Sequence, residues 1–317
     1  MPQSLDAPLA KQFKTHGEQI ALLRERGMLI ESDSEACRLL EQVNYYRLSG
    51  YWYSWRKLLE PEKRADSFIS GTTLDDVAAV YMFDCKLREI VFACLAPIEL
   101  SVRSMLGHEL GRIDPFAHLH PSILGSLAQS SDGEGSSAGY LKWLGRYEKE
   151  LRASREDFVA HHNKKYGGRL PIWAAVEVMD WGSLTYLYQL APIGVREVIA
   201  ARVDLTAAQF GSWLKALNIL RNYSAHHARM FNRVYTLKPR LPRKGRHPEL
   251  DMIAGVVNRT FGQLTLIQYL LVHLDLGNTT RLPKLLEQYP QAKPLPISHL
   301  GMPDNWQENP LWVTKTS

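Results

Sequence analysis

The strongest constraint on the fold is one run of helical pattern from Thr73 to Arg112, longer than any other in the chain. Thr73 stands where an N-cap is needed. Asp75 and Asp76 fall in the first turn, where negative charge meets the positive end of the helix dipole. Glu99 and Arg103 form an i,i+4 pair amid Ile98, Leu100, Val102 and Leu106, which reads as a structural ion pair. Pro97 falls inside the run and is expected to kink or divide it.

Other segments repeat the signal. Glu18 to Arg26 carries Ile20, Leu22 and Leu23 and ends at Gly27, a C-cap residue. Ser32, with Glu35 three residues on, opens a helix through Leu39, Leu40 and Val43. Helical pattern spans Tyr140 to Val159 and breaks near Gly167 and Gly168. It resumes at Leu170, with Pro171 in the first turn, and runs to Tyr188, Gly182 costing ~1 kcal/mol against alanine. Thr206 caps a further helix, and an apolar helix is expected from about Glu249 to Leu274. No stretch alternates as a strand, so the expected fold class is all-α.

The chain has 317 residues, enough for a sizeable core in one or two domains. The expected division is 1–72, a helical and aromatic segment packed on the core, and 73–317, the main helical domain. Gly125 to Gly139 (GSLAQSSDGEGSSAG) reads as a flexible exposed loop. Cys37, Cys85 and Cys94 are odd in number and lack CxxC spacing, which argues against disulfides or a zinc knuckle and fits a reducing cytoplasm. The N-terminal MPQSLDAPLAKQF has no apolar core of a signal peptide, and Leu264 to Leu276 is too short to span a bilayer. Asn44 to Trp55 (NYYRLSGYWYSW) is read chiefly as an aromatic packing plug. Stacking of RNA bases beside Arg47 is the alternative.

Charge singles out another region. No acidic residue lies between Asp204 and Glu249, while nine Lys and Arg fall there: Lys215, Arg221, Arg229, Arg233, Lys238, Arg240, Arg243, Lys244 and Arg246. The whole chain carries only +5, so the remainder sums to −4 and the basic excess is local. Within it, NILRNYSAHHARMFNR (218–233) reads as one helix. Asn218, Asn222, His226, Arg229 and Arg233 share a face on that helix, and Arg221 intrudes among apolar Leu214, Leu217 and Phe231. KPRLPRKGRH (238–247) reads as an extended basic loop. Such a surface suits phosphate oxygens.

Four stretches resemble the Abi-like family of bacterial abortive-infection proteins (AbiD/AbiF type), placed in the HEPN superfamily. They are NYYRLSGYWYSW, LPIWAAVEVMDWGSLTYLY (170–188), LRNYSAHHARMFNR (220–233) and GMPDNWQENPLW (301–312). The third holds an Arg-x4-His pattern, Arg221 to His226, with His227 as the alternative histidine. The resemblance implies a HEPN-like helical bundle with additional N-terminal and inserted helices, a homodimer, and a metal-independent endoribonuclease needing no cofactor. Cleavage without a metal needs a proton-transfer group and a cation for charge building on phosphorus. His226 is assigned the first role, Arg221 the second, and Asn222 an orienting one. Arg229, Arg233, Lys238, Arg240, Arg243, Lys244, Arg246 and Arg47 are the expected RNA contacts. No membrane partner or metal site is expected, since His118/His120, His161/His162 and His226/His227 lack ligand spacing. Two other readings compete: a module that holds a noncoding RNA without cutting it, and a toxin-like protein silenced by a partner.

Overall fold

The computed structural model describes residues 11–60, 63–131, 135–292 and 295–313. Thirteen α-helices and one two-stranded hairpin occur among them, so the fold is all-α. In chain order they are α1 (His16–Glu25), α2 (Asp33–Val43), α3 (Tyr45–Trp52), β1 (Arg56–Glu60), β2 (Lys63–Phe68), α4 (Leu74–Gly111), α5 (Ala138–Ala153), α6 (Asp157–Lys165), α7 (Ile172–Val178), α8 (Trp181–Leu190), α9 (Ile193–Ala201), α10 (Ala207–Ala225), α11 (Pro248–Asp251), α12 (Thr260–His273) and α13 (Arg281–Glu287). The chain divides into two compact units, Met1–Asp84 with Tyr289–Pro296, and Cys85–Gln288 with Ile297–Ser317. The division falls inside α4.

In the first unit, Thr15 and Glu18 form a reciprocal capping box on α1, and Gly27 follows the helix at φ 91°. Ser32 caps α2. Asn44 takes φ 57° between α2 and α3, and its side chain accepts from the Tyr46 amide at 2.8 Å, which turns the chain between the helices. Tyr51, Trp52 and Trp55 of the aromatic stretch are buried, with Trp52 edge-on to Tyr45 and Phe68. The Tyr51 hydroxyl donates to Asp84 at 2.6 Å inside the unit. The aromatic stretch therefore packs as a plug, though Tyr46 and Arg47 stay exposed.

The antiparallel β1–β2 hairpin corrects the expectation of no strands; it pairs Arg56 with Phe68 and Leu58 with Arg64. Its residues are mostly exposed on both faces, so no apolar alternation marks it. Polar contacts hold it instead. Arg64 donates to the carbonyls of Ser54 and Arg56, and Asp66 pairs with Arg56 and Arg26.

In the second unit, α4 passes Pro97 without being divided. A helix-interior proline costs about 3 kcal/mol. Cys94, Leu95 and Ile98 beside it are buried, at roughly 1.5–3 kcal/mol for each large side chain, which outweighs that cost. Among the described residues, α4 is the one helix long and apolar enough to cross a membrane by length and composition. Its Glu99–Arg103 pair, 2.6 Å apart, also turns Arg103 to the Val176 carbonyl, tying α4 to α7.

Three expected long helices are broken. Ser154 is extended between α5 and α6. Asp180 ends the run at Met179 and caps α8 through the Ser183 amide at 2.7 Å, so 170–188 holds two helices. The expected helix from Glu249 becomes α11, a run of turns, and α12, because Arg259 takes an extended conformation and bridges to Val234. Gly262 meets the Val256 carbonyl there so closely that a Cβ would lie 2.3 Å from it. Residues 125–139 are anchored where described: Ala128 is buried and its carbonyl accepts from the Ser137 amide at 2.9 Å; residues 132–134 lie outside the described set. Almost all of α12 is buried, its Gln263 and Gln268 amides donating to the Val257, Thr279 and Leu311 carbonyls. Against it and α8 packs α10, burying Phe210, Trp213, Leu214, Leu217 and Leu220.

Candidate functional site at the end of α10

Thr206 and Gln209 form a capping box that starts α10, and its apolar face carries it through the core. The expected helix through Arg233 does not form. The last ladder bond runs from the His226 amide to the Asn222 carbonyl at 2.9 Å, and His227 then adopts φ 55°. The Ala228 amide reaches back to the Tyr223 carbonyl at 2.9 Å, the six-residue bond of a Schellman ending. Left-handed backbone usually calls for glycine, but histidine is among the residues that adopt it more readily than most. The shared face therefore shrinks to Asn218, Asn222 and His226, because Arg229 and Arg233 lie beyond the helix.

What this end presents is mixed. Asn222, His226 and His227 are exposed, and Asn218 is half-buried. Arg221 is half-buried among apolar neighbours, as its place in the pattern suggested. Its guanidinium carbon sits 5.7 Å from the Phe92 ring, and its buried Nε finds no hydrogen-bond partner among the described residues. With the ladder intact through His226, Arg221 and His226 stay roughly 140° apart around the helix.

The chain then crosses to the start of α12. Thr260 donates to the Met230 carbonyl at 2.7 Å, the Tyr235 amide donates to the Asn258 carbonyl, and Arg259 reaches Asn232 at 3.4 Å. Arg233 stacks 4.4 Å over the ring of Tyr223, which leans on Tyr235. The basic loop is fastened to α10 by its backbone. Trp213 donates to the Arg240 carbonyl, the Arg240 amide donates to Ser212, and Gln209 donates to the Leu241 carbonyl. Lys238, Arg240, Arg243 and Lys244 are left exposed.

Arg246 differs. It pairs with Asp204 at 2.7 Å, and the neighbouring Gly245 amide donates to the Asp251 carboxylate at 3.0 Å. Buried His247 lies between Asp204 and Glu249, at 3.3 and 3.6 Å, with Tyr269 Oη at 3.4 Å from its Nδ1. His273 stacks on Tyr269 and approaches Glu249 at 3.9 Å. The Arg246 hydrogen bond holds the Asp204 carboxyl below its usual range, and burial pushes the Tyr269 phenol up. The interval free of acid in sequence is thus closed by acids in space. Sequence reasoning missed this cluster, since its parts lie far apart in the chain, from Asp204 to His273. Arg47 belongs to the first unit.

A family model described as an Abi-like protein matches residues 38–232. The chain belongs to this Abi-like family. The affiliation ties it to abortive infection, and the match takes in all of α10 and the His226–His227 turn. The basic loop and the 301–312 stretch of this Abi-like protein lie outside the matched residues. No curated protein and no solved structure matches the chain.

Proposed function

We propose that this Abi-like protein is a cytoplasmic defence protein that acts on RNA as a metal-independent endoribonuclease, with the end of α10 as its active centre. One observation carries the reading. Within the family match, two exposed histidines and Asn222 flank a half-buried arginine whose Nε has no hydrogen-bond partner among the described residues. In this reading His226 takes the proton of a ribose 2′-hydroxyl. The 2′-oxygen attacks phosphorus, the bond to the 5′-oxygen breaks, and that oxygen receives a proton. The products are a 2′,3′-cyclic phosphate and a free 5′-hydroxyl. Arg221 holds non-bridging oxygens in its planar fork as charge builds. Asn222 orients the histidine or the ribose, and His227 is the alternative proton carrier. The exposed loop cations follow the phosphate chain.

The active unit is a homodimer with a shared cleft. Arg221 and His226 point to different sides of one helix, and two-fold pairing of α10 ends would bring both types to one phosphate. The helix C-terminus carries partial negative charge, which disfavours an anion, so the cations of both chains are needed to hold a phosphate there. The deciding experiment incubates the purified protein with total RNA in EDTA and maps the ends formed. Shortened RNA with cyclic phosphate ends supports the reading. RNA protected but intact would make the protein an RNA-holding module, and loss of cleavage on adding EDTA would remove the metal-free mechanism.

A further inference from the structure

We propose that His16, Cys37 and Glu41 form a site for a zinc-like divalent cation that ties α1 to α2. The ligand atoms of these three residues lie within 4.8 Å of one another. Cys37 Sγ is 3.6 Å from Glu41 Oε1, and His16 Nδ1 is 3.9 Å from the same oxygen. Around a tetrahedral zinc, with bonds of about 2.0–2.3 Å, ligand atoms sit roughly 3.3–3.6 Å apart. Two of the three separations are therefore within a few tenths of an ångström of that geometry, and small side-chain rotations close the rest.

The fold positions each ligand. Cys37 and Glu41 are four residues apart on α2, so they stand above one another on one face. His16 is the first residue of α1, whose start is fixed by the Thr15–Glu18 capping box. The Cys37 thiol now donates to Glu41. Metal binding would release that proton to solvent and leave a thiolate and a carboxylate, whose two negative charges balance a divalent ion. A thiolate, an imidazole and one carboxylate favour zinc over magnesium or calcium, which prefer oxygen donors. His16 and Glu41 are exposed enough for an ion to enter from solvent, and water would complete a four-coordinate shell. The expectation of no metal site rests on the spacing of the three histidine pairs; His16, 21 residues from Cys37, belongs to no spaced motif and is not among them.

The test uses the untagged full chain, reduced and stripped with EDTA, titrated with Co²⁺ and then with Zn²⁺. One equivalent of Co²⁺ should give a thiolate-to-cobalt charge-transfer absorption that Zn²⁺ removes and excess Mg²⁺ does not. Cys37→Ser should abolish the absorption, and His16→Ala and Glu41→Gln should each weaken Zn²⁺ binding at least tenfold. Cys85→Ser should leave it unchanged. These ligand positions are partly exposed, and circular dichroism would verify that each variant is folded. Absence of the absorption in the wild type, or its survival in Cys37→Ser, would overturn the site. Because the readout is binding, it stands or falls separately from RNA cleavage.

Discussion

The two ends of the long basic interval behave in opposite ways. At the α10 end, His226 and Asn222 reach solvent, and Arg221 rests on Phe92 with its Nε unpartnered among the described residues. At the other end, Arg246 and His247 are bound by Asp204 and Glu249, and Gly245 by Asp251. Both looked equally cationic along the sequence. Folding separates them, because acids flanking the interval return to its far end and neutralise it there. A charge that already has a carboxylate partner releases few counterions when RNA approaches. One end therefore stays open to a ligand, as the proposed function requires, and the other fastens the loop.

The largest effects should fall on the open end. Arg221→Ala and His226→Ala should each lower cleavage by about 10²–10⁴-fold, as expected for loss of a proton carrier or of charge stabilisation. His227→Ala should cost less. His247→Ala should lower the melting temperature while leaving the rate per folded molecule near wild type. An excess of the Arg221→Ala/His226→Ala protein, exchanged with wild type, should suppress activity below simple dilution if two chains share a cleft. A dead His227→Ala beside an active His226→Ala would move the chemistry by one residue. A dead but folded His247→Ala would erase the contrast between the two ends.

Affinity gives a finer measure. Arg243 and Lys244 are exposed, so replacing both with alanine should flatten the salt dependence of single-stranded RNA binding by about 1.4 in log–log slope. Arg246→Ala alone should change that slope little. Equal effects from Arg246 and Arg243, read from binding at several salt concentrations, would mean that the Asp204 pair does not survive contact with RNA.

Much of the fold was legible because its signals are local. The caps at Ser32, Thr73 and Thr206 accept the amide bonds their sequences promise, and the apolar spacing of α10 matches its buried face. The errors came where tertiary contacts override periodicity. The helical pattern continues through His227, yet the Schellman bond and the anchoring of 230–235 on α12 end the helix. The β1–β2 hairpin carries no apolar alternation and rests on arginine contacts. At the candidate site, Arg221's intrusion into an apolar face could be read from spacing. The pairing of Arg246 and His247 with Asp204 could not, since Asp204 is more than 40 residues away.

The smallest expected effect tests that neutralisation itself. Asp204 is exposed and pairs with Arg246, and it also faces His247 and His273. An exposed pair contributes little to stability, so Asp204→Asn should leave the melting temperature nearly unchanged. It should free Arg246, steepen the salt dependence of RNA binding by up to about 0.7, and speed tryptic cleavage after Arg243 and Lys244 a few-fold. The pH dependence has a definite sign. A carboxyl held below its ordinary value of 3.8 contributes fully above that value and loses its contribution as pH falls through the lower folded value. The difference between wild type and Asp204→Asn should therefore be constant from about pH 5 upward for this pair. If Asp204→Asn binds and is cleaved by trypsin like wild type, the pair is not what holds the loop, and its backbone bonds to Trp213, Ser212, Gln209 and Asp251 are enough.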